Sequence, residues 1–155
     1  MKRVDALLAD YGSYHRARGN LICHSFGIPL IVFGILTFLQ RVSLSRSGWT
    51  AAEVVAAAAL LFYAALDVPL ALAMLLPLGA LDLASRLPGS WKAGLAAFFV
   101  GWIFQGIGHA RYEGNSPAFL RNLVHLMIGP LFLVNELFRL RPGPAGANPA
   151  RTAEK

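Results

Sequence analysis

Residues 19–40 read GNLICHSFGIPLIVFGILTFLQ, a stretch without Lys, Arg, Asp or Glu. An apolar run of about 20 residues is long enough for a helix to cross the hydrocarbon core of a bilayer. We therefore predict a first membrane-spanning helix here, with Pro29 near its start and with Arg41 and Arg46 closing it.

The composition of the whole chain agrees with a membrane protein. Hydrophobic residues make up 56% of the 155 residues and charged residues 14%, against about 45–50% and about 25% in soluble domains. The net charge of +6 comes from Lys and Arg spread over termini and loops, which is typical of membrane spans. Nucleic-acid binding is not expected, since it would need a basic face. We predict one domain at residues 1–141 and a disordered tail at residues 142–155, which are rich in Pro, Gly and Ala.

Further apolar runs predict an all-α membrane bundle of four to five apolar helices with an amphipathic N-terminal segment. These runs lie at residues 54–66, 70–81, 93–110 and 123–140. Thr50 and Glu53 form a capping box before the second run. Because Asp67-Val68-Pro69 interrupts the pattern, two short helices fit best, and one long helix kinked at Pro69 is the alternative.

Residues 1–20 are polar, with apolar residues at helical spacing, and Gly19 is predicted to end this interfacial helix. We expect the first apolar segment to stay as an anchor rather than to be cleaved. The basic N-terminus favours a cytoplasmic start. If four segments cross the membrane before residue 109, His24 and His109 lie at the same membrane surface. If only three cross, the two histidines lie at opposite surfaces and cannot share a metal. Arg139 and Arg141 also prefer the cytoplasm, so we expect the last run to lie in the interface or to re-enter the membrane rather than to cross it.

The four histidines His15, His24, His109 and His125 are the main candidates for chemistry in this apolar chain. His109 and Glu113 share a face on a continuous helix, so both can bind one metal, or the carboxylate can orient the imidazole. A capped helix end with a local ion pair is the alternative. Polar groups at the end of an apolar span favour a functional site.

The other polar and small residues of the apolar runs leave several alternatives open. His15 and His24 are nine residues apart and face opposite ways on an unbroken helix, but a break at Gly19-Asn20 would bring them together. Asn20 either orients a ligand or caps a helix. His125 is a metal ligand, a proton carrier or a residue that stabilises the bundle, and Cys23 is a ligand for a soft metal or a core residue. Glu136 is expected to pair with Arg16, Arg18 or another basic group. Gly106 and Gly108 resemble positions where membrane helices pack closely.

Two motifs together resemble a known family. The first is Tyr14-His15, Asn20, His24 and Pro29. The second is Gly101-Trp102-Ile103-Phe104-Gln105, Gly108-His109, Glu113 and Pro117-Ala118, continued by Asn122-Leu123, Pro130 and Glu136. Over residues 8–140 the chain resembles the small multi-pass membrane proteins that include the fungal 2-hydroxy fatty acid dioxygenase of the endoplasmic reticulum.

This resemblance implies an Fe(2+)-dependent dioxygenase that uses O2 to shorten a 2-hydroxy fatty acid by one carbon, by alpha-oxidation. His15, His24 and His109 match the family's histidines and are the expected metal ligands, with His125 as an additional candidate. Asn20 and Glu113 are the expected catalytic residues beside the metal. Arg16, Arg18 and Arg111 are candidates for holding the substrate carboxylate.

Two alternative functions stay open at this point. A zinc-dependent membrane hydrolase would use three histidines, with Glu113 as base. A scaffold or lipid-binding bundle would use its histidines only for internal hydrogen bonds. In each case we expect a multi-pass protein in contact with membrane lipid, in the bacterial inner membrane or the endoplasmic reticulum, and a homo-oligomer is compatible with each.

Overall fold

The computed structural model describes residues 3–46, 48–114 and 124–141. They form six α-helices: α1 (Arg3–Ser13), α2 (Arg18–Leu39), α3 (Ala51–Leu66), α4 (Val68–Ser85), α5 (Ser90–Ile107) and α6 (Val124–Phe138), with a π-helix at Gly108–Glu113. The prediction of an all-α bundle is confirmed. The proposed tail at residues 142–155 lies outside the described residues, as do the motif residues Pro117, Ala118, Asn122 and Leu123.

Three helical segments are long and apolar enough to cross a membrane: α2, α4, and α5 together with the π-helix, Ser90–Glu113. Helices α3 and α6 are apolar but shorter, with 16 and 15 residues. Large apolar side chains point outward, among them Leu61, Leu76 and Leu83 at 72%, 74% and 69% exposure. Since such an apolar surface is unfavourable in water, the bundle is a membrane protein.

Helices α2 and α5 pack closely because glycines line their contact. A Cβ atom added at Gly27 would lie 2.9 Å from the Gly101 carbonyl oxygen, and one at Gly101 would lie 2.7 Å from the Gly27 carbonyl oxygen. One added at Gly94 would overlap Thr37. Small residues allow this close approach of backbones in membrane helices. The contact fixes α2, which carries His24, relative to α5, which leads directly into the π-helix that carries His109.

A polar network joins the helix ends at the far end of α2, away from the histidines. The Gln40 amide nitrogen donates to Asp82 Oδ1 at 2.9 Å, and the Thr50 hydroxyl donates to the Gln40 amide oxygen at 3.1 Å. Arg86 pairs with Glu53 at 2.7 Å and with Asp82 at 2.8 Å. The predicted capping box of Thr50 and Glu53 is present. Hydrogen bonds therefore satisfy the polar groups where α2, α3 and α4 meet.

The junction at Asp67 separates α3 from α4, so the prediction of two helices is confirmed and the single kinked helix is wrong. Asp67 is extended, and its carboxylate accepts from the Leu70 backbone N–H at 3.2 Å, which caps α4. The same buried carboxylate pairs with Arg141. The Arg141 backbone N–H donates to Asn135 Oδ1 at 2.8 Å, which holds the end of α6 against this junction.

The main hydrophobic core lies between α1, α3, α4 and α6. Its buried side chains include Leu8 and Tyr11 of α1, Leu70 of α4, and Ile128 and Leu131 of α6. The N-terminal helix therefore buries its apolar face in the bundle, against α6.

Two details of the sequence prediction are wrong, and a third finds no support among the described residues. Gly19 does not end a helix but lies inside α2, where a Cβ atom would overlap the Tyr112 ring. Gly106 has open space at its Cβ position, so of the two glycines only Gly108 packs closely. Glu136 is exposed and forms no ion pair with any other described residue, because the inward position beside it belongs to Asn135.

Candidate metal centre

The side chains of His15 and His24 meet where the linker at residues 14–17 joins α1 to α2. His15 Nδ1 lies 2.7 Å from the Tyr11 carbonyl oxygen, and His24 Nδ1 lies 2.9 Å from the Asn20 carbonyl oxygen. A carbonyl oxygen only accepts, so this hydrogen-bond network assigns a proton to each Nδ1. The two Nε2 atoms are 3.0 Å apart, and in these tautomers each directs a lone pair at the other.

Two buried lone pairs that face each other are unfavourable unless a cation lies between or beside them. Metal-bound histidines typically donate one ring N–H to a carbonyl or carboxylate and bind the metal through the other nitrogen. His15 and His24 have this arrangement, with 4% and 2% exposure. Their donor set therefore fits a metal ion.

His109 completes a group of three imidazoles. Its ring centroid lies 4.9 Å from those of both His15 and His24. One potential ligand atom from each of the three residues lies within 4.8 Å of the other two, and all three residues are buried. His109 Nδ1 is buried without a hydrogen-bond partner among the described residues. Imidazole nitrogen is a good ligand for iron and for zinc.

The local structure explains how residues distant in the sequence converge. His15 lies on a non-helical linker, so the direction of its ring is independent of α2. His109 lies in the π-helix, a wider helical segment that is frequent at functional sites. Gly108 lets this segment approach α2, because a Cβ atom there would overlap Asn20 Oδ1 and lie 3.1 Å from Cys23 Cβ.

Burial keeps the His15 imidazole uncharged. It lowers the pKa of His15 to about 4, against the upward effect of the hydrogen bond to the Tyr11 carbonyl. At neutral pH the His15 imidazole is therefore unprotonated at one nitrogen, which is the form that binds a metal.

Glu113 reaches across to the start of α2. Its Oε1 accepts from the Ala17 backbone N–H at 2.7 Å and from the Asn20 amide nitrogen at 3.1 Å. It lies outside the group of ligand atoms that the three histidines form. Asn20 is fully buried, and its Oδ1 has no partner among the described residues. The hydrogen-bonding capacity of this oxygen is therefore not used by the described residues.

His125 and Cys23 lie outside the three-histidine group. His125 is buried on α6, and its Nε2 contacts Asp10 Oδ2 at 2.8 Å. Cys23 is a buried free thiol. The candidate substrate-binding residues Arg16, Arg18 and Arg111 are exposed, on the segments that carry His15, His24 and His109.

Sequence reasoning assigned no role to two further residues, Tyr11 and Gln105. The Tyr11 ring stacks on the His15 ring at 4.0 Å between centroids, with an interplanar angle of 8°. Gln105, one turn before His109, is buried, and its amide nitrogen has no partner among the described residues. A polar residue inside an apolar run was the available signal for Gln105. Nothing in the sequence alone indicated that Tyr11 would stack on His15.

Comparison with known proteins identifies the family of the chain. The family model described as "Mpo1-like: 2-hydroxy-palmitic acid dioxygenase Mpo1-like" matches residues 1–140. The chain is 36% identical over 138 residues to 2-hydroxy-palmitic acid dioxygenase MPO1 of Saccharomyces cerevisiae, covering 86% of this chain and 79% of the yeast protein. No solved structure matches the chain. The match over nearly the whole length shows that the chain belongs to the Mpo1-like family.

Proposed function

We propose that this protein is an Fe(2+)-dependent dioxygenase that shortens 2-hydroxy fatty acids by one carbon at a membrane. The proposal combines membership in the Mpo1-like family with one observation, the Nε2 atoms of His15 and His24 facing each other at 3.0 Å beside His109. In this proposal the three histidines hold the iron. When bound, the iron supplies the redox chemistry that activates O2.

The other residues bind and orient the substrate. Asn20 Oδ1, buried and without a partner, accepts a hydrogen bond from the 2-hydroxyl group. Arg16, Arg18 and Arg111 supply positive charge for the carboxylate. Glu113 holds the linker that carries His15 by accepting a hydrogen bond from the Ala17 N–H. It also accepts a hydrogen bond from the Asn20 amide nitrogen, which fixes the direction of the Asn20 side chain.

The position of the site at the ends of α2 and α5 suits an amphipathic substrate. The polar head of a fatty acid lies at the membrane interface, and its acyl chain lies in the hydrocarbon core. The outward apolar side chains of the helices below the site would contact this chain. In this proposal the bilayer surrounds the protein, and the substrate reaches the site from the bilayer.

The reaction balances without an external electron donor. A 2-hydroxy acid and one O2 give the acid shortened by one carbon, CO2 and water. The Cα–C1 bond breaks, Cα is oxidised from the alcohol to the carboxyl level, C1 leaves as CO2, and O2 is reduced to the level of water. One O2 should therefore be consumed for each substrate molecule.

The test is anaerobic purification followed by metal analysis and oxygen uptake with 2-hydroxypalmitate, with palmitate as the matched substrate control. We expect iron in the purified protein, uptake with the 2-hydroxy acid alone, and equimolar CO2. His15→Ala and His109→Ala should lose uptake, and Gly106→Ala, which alters an open position, should keep it. Full turnover by the histidine variants would refute the proposal.

Metal analysis also separates the alternative functions. A zinc hydrolase would contain zinc and would consume no O2, since three histidines also suit catalytic zinc. A scaffold would contain no metal and would tolerate His24→Gln. Neither alternative accounts for the family relationship.

For the membrane topology we propose four crossings, by α2, α3, α4 and α5, with a cytoplasmic N-terminus. The basic residues Lys2 and Arg3 support this orientation, and an even number of crossings agrees with His15 and His109 meeting at one end. The membrane would be the inner membrane of a bacterium or the endoplasmic reticulum of a eukaryote. Reporter fusions before α2 and after Glu113 should report the same side, and opposite sides would contradict four crossings.

A further inference from the structure

His125 is a buried histidine that the proposed metal centre does not use. It lies on α6 with its side chain 3% exposed, and it contacts the Asp10 carboxylate of α1 at 2.8 Å, whose side chain is 53% exposed. Most buried polar side-chain atoms have a hydrogen-bond partner, and at His125 the partnered ring nitrogen is Nε2, since Nδ1 has no partner among the described residues. The Asp10–His125 contact therefore joins α1 to α6 at the edge of the core.

Tyr11 lies between this contact and the metal centre. One face of its ring stacks on His15 at 4.0 Å, and His125 meets it edge to face at 5.7 Å and 79°. Phe132 of α6 also contacts the ring, at 5.0 Å. The carbonyl oxygen of the same Tyr11 accepts the hydrogen bond from His15 Nδ1. Tyr11 thus controls both the plane and the tautomer of His15.

His15 depends on such support more than the other two proposed ligands do. His24 and His109 lie within helical segments, whose backbone hydrogen bonds fix their Cα positions. His15 follows the end of α1 at Ser13, on a linker outside both helices. Its direction is therefore set by its contacts with Tyr11 and by the His24 ring.

We propose that His125 and Asp10 are positioning residues that hold Tyr11, and through it His15, in the geometry that binds the metal. His125 acts from outside the ligand set, and Asp10 fixes it from the protein surface. This inference rests on the proposed function, because it assumes that the three histidines bind a metal ion.

The experiment uses the full-length protein in detergent and titrates it with Co²⁺, whose visible absorption reports the ligand field. The variants are Asp10→Ala and His125→Phe. The matched control is Tyr63→Phe. It removes a 2.9 Å hydrogen bond from the Tyr63 hydroxyl of α3 to the Met127 carbonyl oxygen of α6, the helix that also carries His125. Mutations of groups that support metal ligands weaken binding by about 10–100-fold.

We expect Asp10→Ala and His125→Phe each to weaken Co²⁺ binding by about 10-fold and to change the absorption spectrum, whereas Tyr63→Phe stays near the wild-type affinity and spectrum. His125→Gln, which keeps a donor for Asp10, should recover part of the lost affinity. A merely structural role of α6 would not produce this spectral difference.

Three outcomes would overturn the inference. The first is wild-type affinity and spectrum in both variants. The second is an effect of His125→Phe without one of Asp10→Ala, which would make His125 a ligand. The third is a loss of Co²⁺ affinity in Tyr63→Phe as large as the loss in the other two variants. Failure of the wild-type protein to bind Co²⁺ would instead refute the metal centre of the proposed function.

Discussion

The Nε2 atoms of His15 and His24 lie 3.0 Å apart, although the two residues belong to different structural segments. Each ring is held from behind by a hydrogen bond to a backbone carbonyl. The pair is therefore fixed in a geometry that leaves two acceptor nitrogens in close contact without a shared proton.

The first prediction is that a divalent metal stabilises the folded protein. A ligand that binds only the folded state adds about 2.7 kcal/mol at 100 times its dissociation constant. We expect Fe²⁺ or Co²⁺ to raise the midpoint of thermal unfolding in detergent, since the cation relieves the repulsion between the two nitrogens. His24→Ala should unfold at the same temperature with and without metal. An equal metal-induced rise in wild type and His24→Ala would contradict this prediction.

The second prediction concerns Glu113, whose carboxylate accepts from the Ala17 N–H across 96 positions of sequence. Glu113→Ala should lower the free energy of unfolding by about 1.5–3 kcal/mol, the contribution of a hydrogen bond to a charged group. Glu113→Gln keeps an acceptor oxygen and should lose less. If Glu113 also acts in catalysis, the Gln variant should be stable, bind metal and yet lose oxygen uptake. Normal uptake by the stable Gln variant would limit Glu113 to a structural role.

The third prediction compares Gly108 with Gly106, two positions earlier in the sequence. A Cβ atom at Gly108 would overlap Asn20 Oδ1, whereas one at Gly106 would meet no atom within 4 Å. Gly108→Ala should therefore separate the π-helix from α2, lower stability by about 1–3 kcal/mol and weaken metal binding. Gly106→Ala should change stability by no more than about 0.5 kcal/mol, as exposed positions usually do. Equal effects of the two substitutions on Co²⁺ affinity would disprove the close contact.

The fourth prediction concerns the ion pair of Asp67 and Arg141, whose side chains are 2% and 17% exposed. Asp67→Asn leaves the Arg141 charge largely buried and unpaired, which typically costs about 3–5 kcal/mol. The double variant Asp67→Asn, Arg141→Met should be more stable than Asp67→Asn alone, because no unpaired charge remains. Urea or thermal unfolding of the three proteins measures this coupling, and additive losses would show that the residues do not interact.

Much of the fold follows from local patterns in the sequence. The apolar run at residues 19–40 predicts α2, the capping box of Thr50 and Glu53 marks the start of α3, and Asp67 with Pro69 separates α3 from α4. These features depend on residues close in sequence, since helix formation, capping and interruption by proline act within one or two turns. The family resemblance also followed from the sequence, because its two motifs are continuous stretches.

The tertiary structure alone decided how these parts meet. Sequence spacing placed the break between His15 and His24 at Gly19, whereas the structure places it at residues 14–17 and uses Gly19 for close contact with Tyr112. The spacing of His109 and Glu113 suggested one shared ligand face, yet a π-helix carries both and directs Glu113 to Ala17. Such contacts join residues about 90 positions apart, and their geometry depends on how α2 and α5 pack. Periodicity within a helix carries no information about that packing, so the sequence determined the helices and the candidate ligands, and the packing determined which of them converge.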